Sequence, residues 1–107
     1  MAKAAELGLP VYIHPNCGDY ERINEMGGAM ASAGYGFSND VMTTTLRLIT
    51  KGVFDELPAL KIMLGHMGEF YPYVLKRMDN RFASLKGTGR DVNKELPSYY
   101  IKHNFVF

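Results

Sequence analysis

Two histidines each close a short apolar run: Pro10-Val11-Tyr12-Ile13-His14 and Leu60-Lys61-Ile62-Met63-Leu64-Gly65-His66. Neutral imidazole ligates divalent metals and moves protons near neutral pH, so each is a candidate for metal binding or acid–base work. Taken singly, either reads equally well as an ordinary polar residue at a sheet edge. Two in the same place on consecutive runs favour a shared site. After His14 come Pro15, Asn16, Cys17, Gly18 and Asp19, a loop able to wall a pocket. By spacing alone this is one ligand, because a catalytic zinc-type site takes about three protein ligands plus an open position and no HxH or HExxH completes it. Cys17 is the nearest partner, yet a lone loop cysteine is more often an inert small residue.

Around the second histidine, Gly65-His66-Met67-Gly68-Glu69 lets backbone approach a ligand closely. Glu69 has two readings. Its carboxylate can turn back to the imidazole, fixing the tautomer and raising the basicity of the other nitrogen, which suits a general acid or base. Alternatively it is a helix N-terminal carboxylate stabilised by the macrodipole, and both can hold. Arg77 falls outside the apolar stripe of its helix and reads as a solvated or partner-facing cation. His103 reads as a surface residue, and the seven methionines as packing.

The elements that must position these groups follow from periodicity. Residues 2–7 are helix formers stopped by Gly8 and Pro10. Residues 10–14, with no polar alternation, read as a strand buried on both faces. Residues 15–36 are glycine-punctuated loop with a helical piece at 20–26. Ser38 or Asn39 then caps a helix whose Met42, Leu46, Ile49 and Val53 form one buried stripe, its first segment stopping at Gly52. A second strand covers 60–65, and Pro72 opens a helix lined by Tyr71, Val74, Leu75, Met78, Phe82 and Leu85 as far as Gly87. A polar linker over 86–97 precedes a third strand at 99–107. Alternating helices and strands indicate an α/β class with a parallel sheet and crossover helices, whose active site collects at the C-terminal strand ends. Three strands close no barrel, and the last leaves an apolar edge uncovered, so the 107 residues are expected to be one piece cut from a larger domain.

Hydrophobic residues make up 47%, charged 21% and aromatic 12%, an ordinary globular composition that excludes a disordered tail. A net charge of +1 provides no basic field for nucleic acid or an anionic membrane. No apolar run approaches the roughly 18 residues of a membrane span, and no signal pattern opens the chain. One cysteine cannot form an internal disulfide. A soluble, cytoplasmic protein is expected.

Further residues give the pattern a family likeness: Leu9 through Pro15, Leu46-Arg47-Leu48-Ile49 with Gly52-Val53-Phe54-Asp55, then Leu60 through Glu69, and Pro72-Tyr73 with Arg77-Met78-Asp79. In order and spacing the chain resembles the metal-dependent decarboxylases of the amidohydrolase superfamily, which include γ-resorcylate, carboxyvanillate and aminocarboxymuconate-semialdehyde decarboxylases. The likeness spans nearly the whole chain and is stronger to the hydroxybenzoate-type members.

The resemblance implies a (β/α)8 TIM barrel of which this chain is roughly the fifth to seventh strands, in a parent about three times longer. It implies that His14 ligates a divalent metal, zinc or manganese, that His66 is catalytic with Glu69 as its partner, and that the reaction releases carbon dioxide from a hydroxybenzoate-like acid. The family's metal motif on the first strand and its aspartate after the eighth have no counterpart here, so the remaining ligands are expected outside this chain. Arg77 stands eleven residues after His66, where the family places an arginine that reaches a neighbouring subunit's substrate carboxylate. A homo-oligomer, dimer or tetramer, is therefore implied. A metal-dependent hydrolase on the same barrel, or a non-catalytic truncated remnant, are the other readings.

Overall fold

The computed structural model describes residues 1–18, 20–89 and 93–107. Helix α1 (Ala2–Glu6) ends as Gly8 takes a left-handed φ of 66°, and strand β1 (Val11–Ile13) follows. The run beyond it holds α2 (Glu21–Asn24) and a π-helical segment, Met30–Gly34, which leads into the long helix α3 (Gly36–Thr50). Gly52, again left-handed, starts the short α4 (Val53–Glu56). Strand β2 (Ile62–Leu64) passes through a 3-10 turn, Gly65–Gly68, to α5 (Tyr71–Ala83). Helix α6 (Pro97–Asn104) runs directly into β3 (Phe105–Val106).

The three strands form one parallel sheet in the order β1-β2-β3, with Ile13 beside Leu64 and Ile62 beside Phe105. Parallel pairing with intervening helices is the expected α/β arrangement and is consistent with part of a (β/α)8 barrel. One face of the sheet packs on the helices: Ile62, Leu64 and Phe105 lie in a core with Val41 and Ile49 of α3, Phe54 of α4, Tyr71 of α5, and Tyr100 and Ile101 of α6. Burying each such aliphatic side chain contributes about 1.5–3 kcal/mol. No helix among the described residues is long and apolar enough to cross a membrane.

Four expectations are corrected. The strands are buried on one face only: Tyr12, Met63 and Val106, which share a register row, are 55%, 38% and 43% exposed. Helices cover just the other side of the sheet in these residues. Secondly, 99–104 is helix. Pro97 presets the first turn, Tyr100, Ile101 and Asn104 bury one helical face, and the Asn104 amide donates to the carbonyls of Pro58 and Leu60 at 3.0 Å each. Only Phe105–Val106 pairs as strand. Thirdly, Ser38 and Asn39 do not cap α3, which begins two residues earlier at Gly36. Its fully buried row is Ser38, Val41, Thr45 and Ile49, while Met42, Leu46 and Val53 pack at the core margin. Thr45 tolerates burial because its hydroxyl donates back to the Val41 carbonyl at 2.9 Å. Helix α5 also stops earlier than expected, at Ala83, leaving Leu85 exposed.

Candidate active site

Since β1 and β2 are parallel and adjacent, their C-terminal ends deliver His14 and His66 to the same edge of the sheet. The ring centroids lie 5.8 Å apart, edge to face at 72°. Local backbone makes this approach possible. A Cβ on Gly65 would stand 3.0 Å from the Ile13 carbonyl and 3.1 Å from the Tyr12 hydroxyl, so a larger residue there would push β1 and β2 apart by a few tenths of an ångström. His66 and Met67 both adopt φ of 53°, and Phe70 adopts 76°. Left-handed conformations cost roughly 1–2 kcal/mol per non-glycine residue, a strain concentrated where the imidazole is presented. Gly68 completes the turn at φ 59°, and any Cβ on it would run into the ring of Phe107.

The nitrogen at Nδ1 of His14 lies 2.7 Å from the Pro15 carbonyl oxygen. A carbonyl only accepts, so Nδ1 carries the hydrogen and Nε2 keeps its lone pair, the tautomer a metal ligand needs. The ring of His66, half-buried, makes no hydrogen bond through either nitrogen among the described residues. Both nitrogens are therefore open to a ligand or a proton.

Glu69 is not bonded to that ring. Its carboxylate accepts the hydroxyl of Ser38, which is only 4% exposed, and so ties the turn after β2 to the first turn of α3. Of its two sequence-based readings, the tie to His66 is unrealised in this arrangement. A cavity of about 380 Å³ borders this contact, lined by Ser38, Met67, Glu69, Phe70 and Tyr73 among others. Tyr71 anchors the start of α5: it is almost fully buried, its hydroxyl donates towards the Met42 carbonyl at 3.5 Å, and burial pushes its phenol well above the usual tyrosine range.

Arg77 is exposed on α5 and has no ion pair or hydrogen bond among the described residues. Cys17 is exposed, its amide donating to the Asn16 side chain at 2.8 Å, and it does not join the histidines as a donor set. Among the described residues no three His, Cys, Asp or Glu side chains converge as a metal-binding set. His103 lies within α6, stacked on Tyr99 at 4.0 Å and apart from the pair, in keeping with a surface role. Asp19 lies outside the described residues.

Phe37 and Ser38 were invisible in the sequence as site residues. Phe37 packs edge-on against both imidazoles, at 5.3 Å from His66 and 6.5 Å from His14. The available signal was positional: a helix opening after the glycine-rich run, Gly34-Tyr35-Gly36, between the two histidine-ending strands.

A protein-family description, Amidohydrolase, fits residues 1–106. Among curated proteins the chain is 36% identical over 96 residues to the decarboxylase OrsB of Emericella nidulans, covering 82% of the chain and 29% of that protein. It is 38% identical over 108 residues to γ-resorcylate decarboxylase of Rhodococcus jostii, covering 98% and 33%. The chain thus spans about a third of the length of the curated relatives it matches. Among solved structures, 5-carboxyvanillate decarboxylase of Novosphingobium aromaticivorans, complexed with manganese and 4-hydroxy-3-methoxy-5-nitrobenzoic acid, superposes with a TM-score of 0.84 at 34% identity, over 96% of this chain and 31% of that one. Dihydroxybenzoic acid decarboxylase of Polaromonas sp. JS666, with manganese and 2-nitroresorcinol, gives 0.82 at 36% identity, over 95% and 31%.

Proposed function

The chain belongs to the amidohydrolase family, and from that premise we propose that its 107 residues form the fifth-to-seventh-strand segment of a metal-dependent decarboxylase acting on hydroxybenzoate-like carboxylic acids. The carrying observation is the pair His14 and His66, 5.8 Å apart at the C-terminal edge of adjacent parallel strands. Decarboxylase names among the relatives support the reading.

His14 fits a divalent metal through Nε2, the other nitrogen being fixed on the Pro15 carbonyl. The manganese in two solved relatives supports that metal over zinc, and the remaining ligands come from residues outside this chain. When bound, the metal supplies Lewis-acid stabilisation of charge on substrate oxygens. His66 has a nitrogen free to deliver a proton to the ring carbon bearing the carboxylate. The C–C bond to the carboxyl carbon then breaks, its electron pair stays on the protonated carbon's ring system as aromaticity returns, and carbon dioxide leaves. The open face carrying Tyr12, Met63 and Val106 turns to the barrel interior. Arg77, exposed and without a side-chain partner among the described residues, binds a carboxylate across a subunit contact in a homo-oligomer. The single cysteine, Cys17, fits a cytoplasmic setting.

The test is an assay of the full-length enzyme with manganese, following carbon dioxide release from 2,6-dihydroxybenzoate and 5-carboxyvanillate alongside ester and lactone opening. Carbon dioxide release is expected. Ester or lactone opening without it would overturn decarboxylation in favour of a hydrolase on the same barrel.

A further inference from the structure

The rings of Phe37, His14 and His66 meet pairwise, at 5.3, 5.8 and 6.5 Å and at angles of 62° to 73°. Each pair meets edge to face, and the closest, Phe37 with His66, limits how far that imidazole can turn. Among the described residues neither nitrogen of His66 has a hydrogen-bond partner, and the carboxylate of Glu69 is engaged by Ser38. Within the described residues the ring is oriented by its left-handed backbone and by its edge contacts with Phe37 and His14.

Phe37 is itself well held. Gly36 lies so close to the Ala31 carbonyl that a Cβ has no room, and Ser38 and Val41 beyond it are buried. We infer that Phe37 is a positioning residue for the histidine pair, holding the His66 imidazole at a fixed angle while leaving both of its nitrogens free. A short polar side chain such as Asn, with its donor or acceptor at the imidazole edge, would occupy a nitrogen that proton transfer needs. An aliphatic one would fill the space and let the ring turn. The catalytic consequence rests on the decarboxylase reading, whereas the ring geometry does not.

The experiment has a readout for each part. In the full-length enzyme with labelled histidines, prepared for spectroscopy with diamagnetic magnesium in place of manganese, Phe37→Leu removes the ring current at the imidazoles. The carbon-bound ring protons of His66 are expected to change chemical shift most, those of His14 less, and those of the remote His103 not at all. Phe37→Tyr keeps the ring and the shifts; Phe37→Met repeats the comparison should the leucine variant fold poorly. In turnover, Phe37→Leu is expected to lower kcat roughly tenfold with KM and manganese content little changed, and Phe37→Tyr to restore most of it, because misplacing a reacting group by about 1 Å can cost as much as a hundredfold. Unmoved His66 resonances, or kcat within twofold of wild type in the leucine and methionine variants, would overturn the inference. A wild-type enzyme that releases no carbon dioxide while the His66 shifts respond as expected would overturn the decarboxylase reading and leave Phe37's hold on the ring standing.

Discussion

The hydroxyl of Ser38 donates to the carboxylate of Glu69, joining the first turn of α3 to the segment leaving β2 across 31 residues of sequence. Ser38 is buried and Glu69 exposed, so water can replace the serine for Glu69 but nothing replaces the carboxylate for Ser38. Ser38→Ala is therefore expected to lower stability by about 1 kcal/mol or less, and Glu69→Ala by more, about 1–3 kcal/mol, because it strands the buried hydroxyl. Denaturant unfolding of both single variants and the double variant checks this: the two effects must fail to add, because they remove one shared bond. Strict additivity would mean that the two side chains do not interact in solution.

A second expectation separates the two histidines by their proposed roles. In the full-length enzyme His14→Ala is expected to abolish metal retention if Nε2 is the donor atom proposed for it, and metal analysis after dialysis is the measurement. His66→Asn is expected to keep the metal and to lower turnover by the roughly 10² to 10⁴ attributed to general acid–base catalysis. Metal retained in the His14 variant, or full turnover in the His66 variant, would break the corresponding assignment.

Tyr100 offers a pH test of the fold. Its phenol is pushed up to about 12, first by burial and then by the Asp55 carboxylate to which it donates at 2.6 Å. The folded chain thus holds this proton more tightly than the unfolded one, whose tyrosine titrates near 10. The resulting stability is fully present below about pH 10 and is lost as pH rises from there through 12. Tyr100→Phe is expected to cost about 1 kcal/mol at neutral pH, through the lost bond to Asp55, and to flatten the decline at alkaline pH. Tyr71, raised in the same direction by burial, is present in both proteins and cancels in the difference. Parallel stability curves for the two proteins between pH 8 and 11 would show that Tyr100 is not a source of the alkaline loss.

The outline of this site was legible because it depends on local pattern. Two short, mainly apolar runs, each ending in histidine, are enough to place His14 and His66 on one edge once the strands are known to be parallel. What escaped depends on contacts between distant residues. Ser38 is polar, so it weakened the apparent apolar stripe of α3, although its partner Glu69 makes its burial tolerable. Tyr99, Tyr100 and Ile101 are strand-favouring types, yet Pro97 and the bonds from Asn104 to Pro58 and Leu60 fix them in a helix. The π-helical segment before Gly36 left no periodicity to read, since five residues with one kink carry no repeating stripe.

The last expectation concerns Arg77, a cation that periodicity alone would assign to solvent. It is exposed on α5, and its guanidinium has no ion pair or hydrogen bond among the described residues. A guanidinium fork pairs bidentately with a carboxylate, and a subunit contact that excludes water strengthens the pair. If Arg77 serves the neighbouring subunit's substrate, Arg77→Lys keeps the charge, loses the fork and is expected to raise KM about tenfold or more while sparing metal content. Mixing Arg77→Lys and His66→Asn subunits then tests whether the site is shared. In a two-fold hybrid, one site receives His66 and Arg77 both intact and the other receives neither. Random exchange makes half the dimers hybrid, so at substrate well below KM, where Arg77→Lys sites contribute little, about a quarter of wild-type activity is expected to return. No recovery under verified exchange would place Arg77 in its own subunit's site or outside any site.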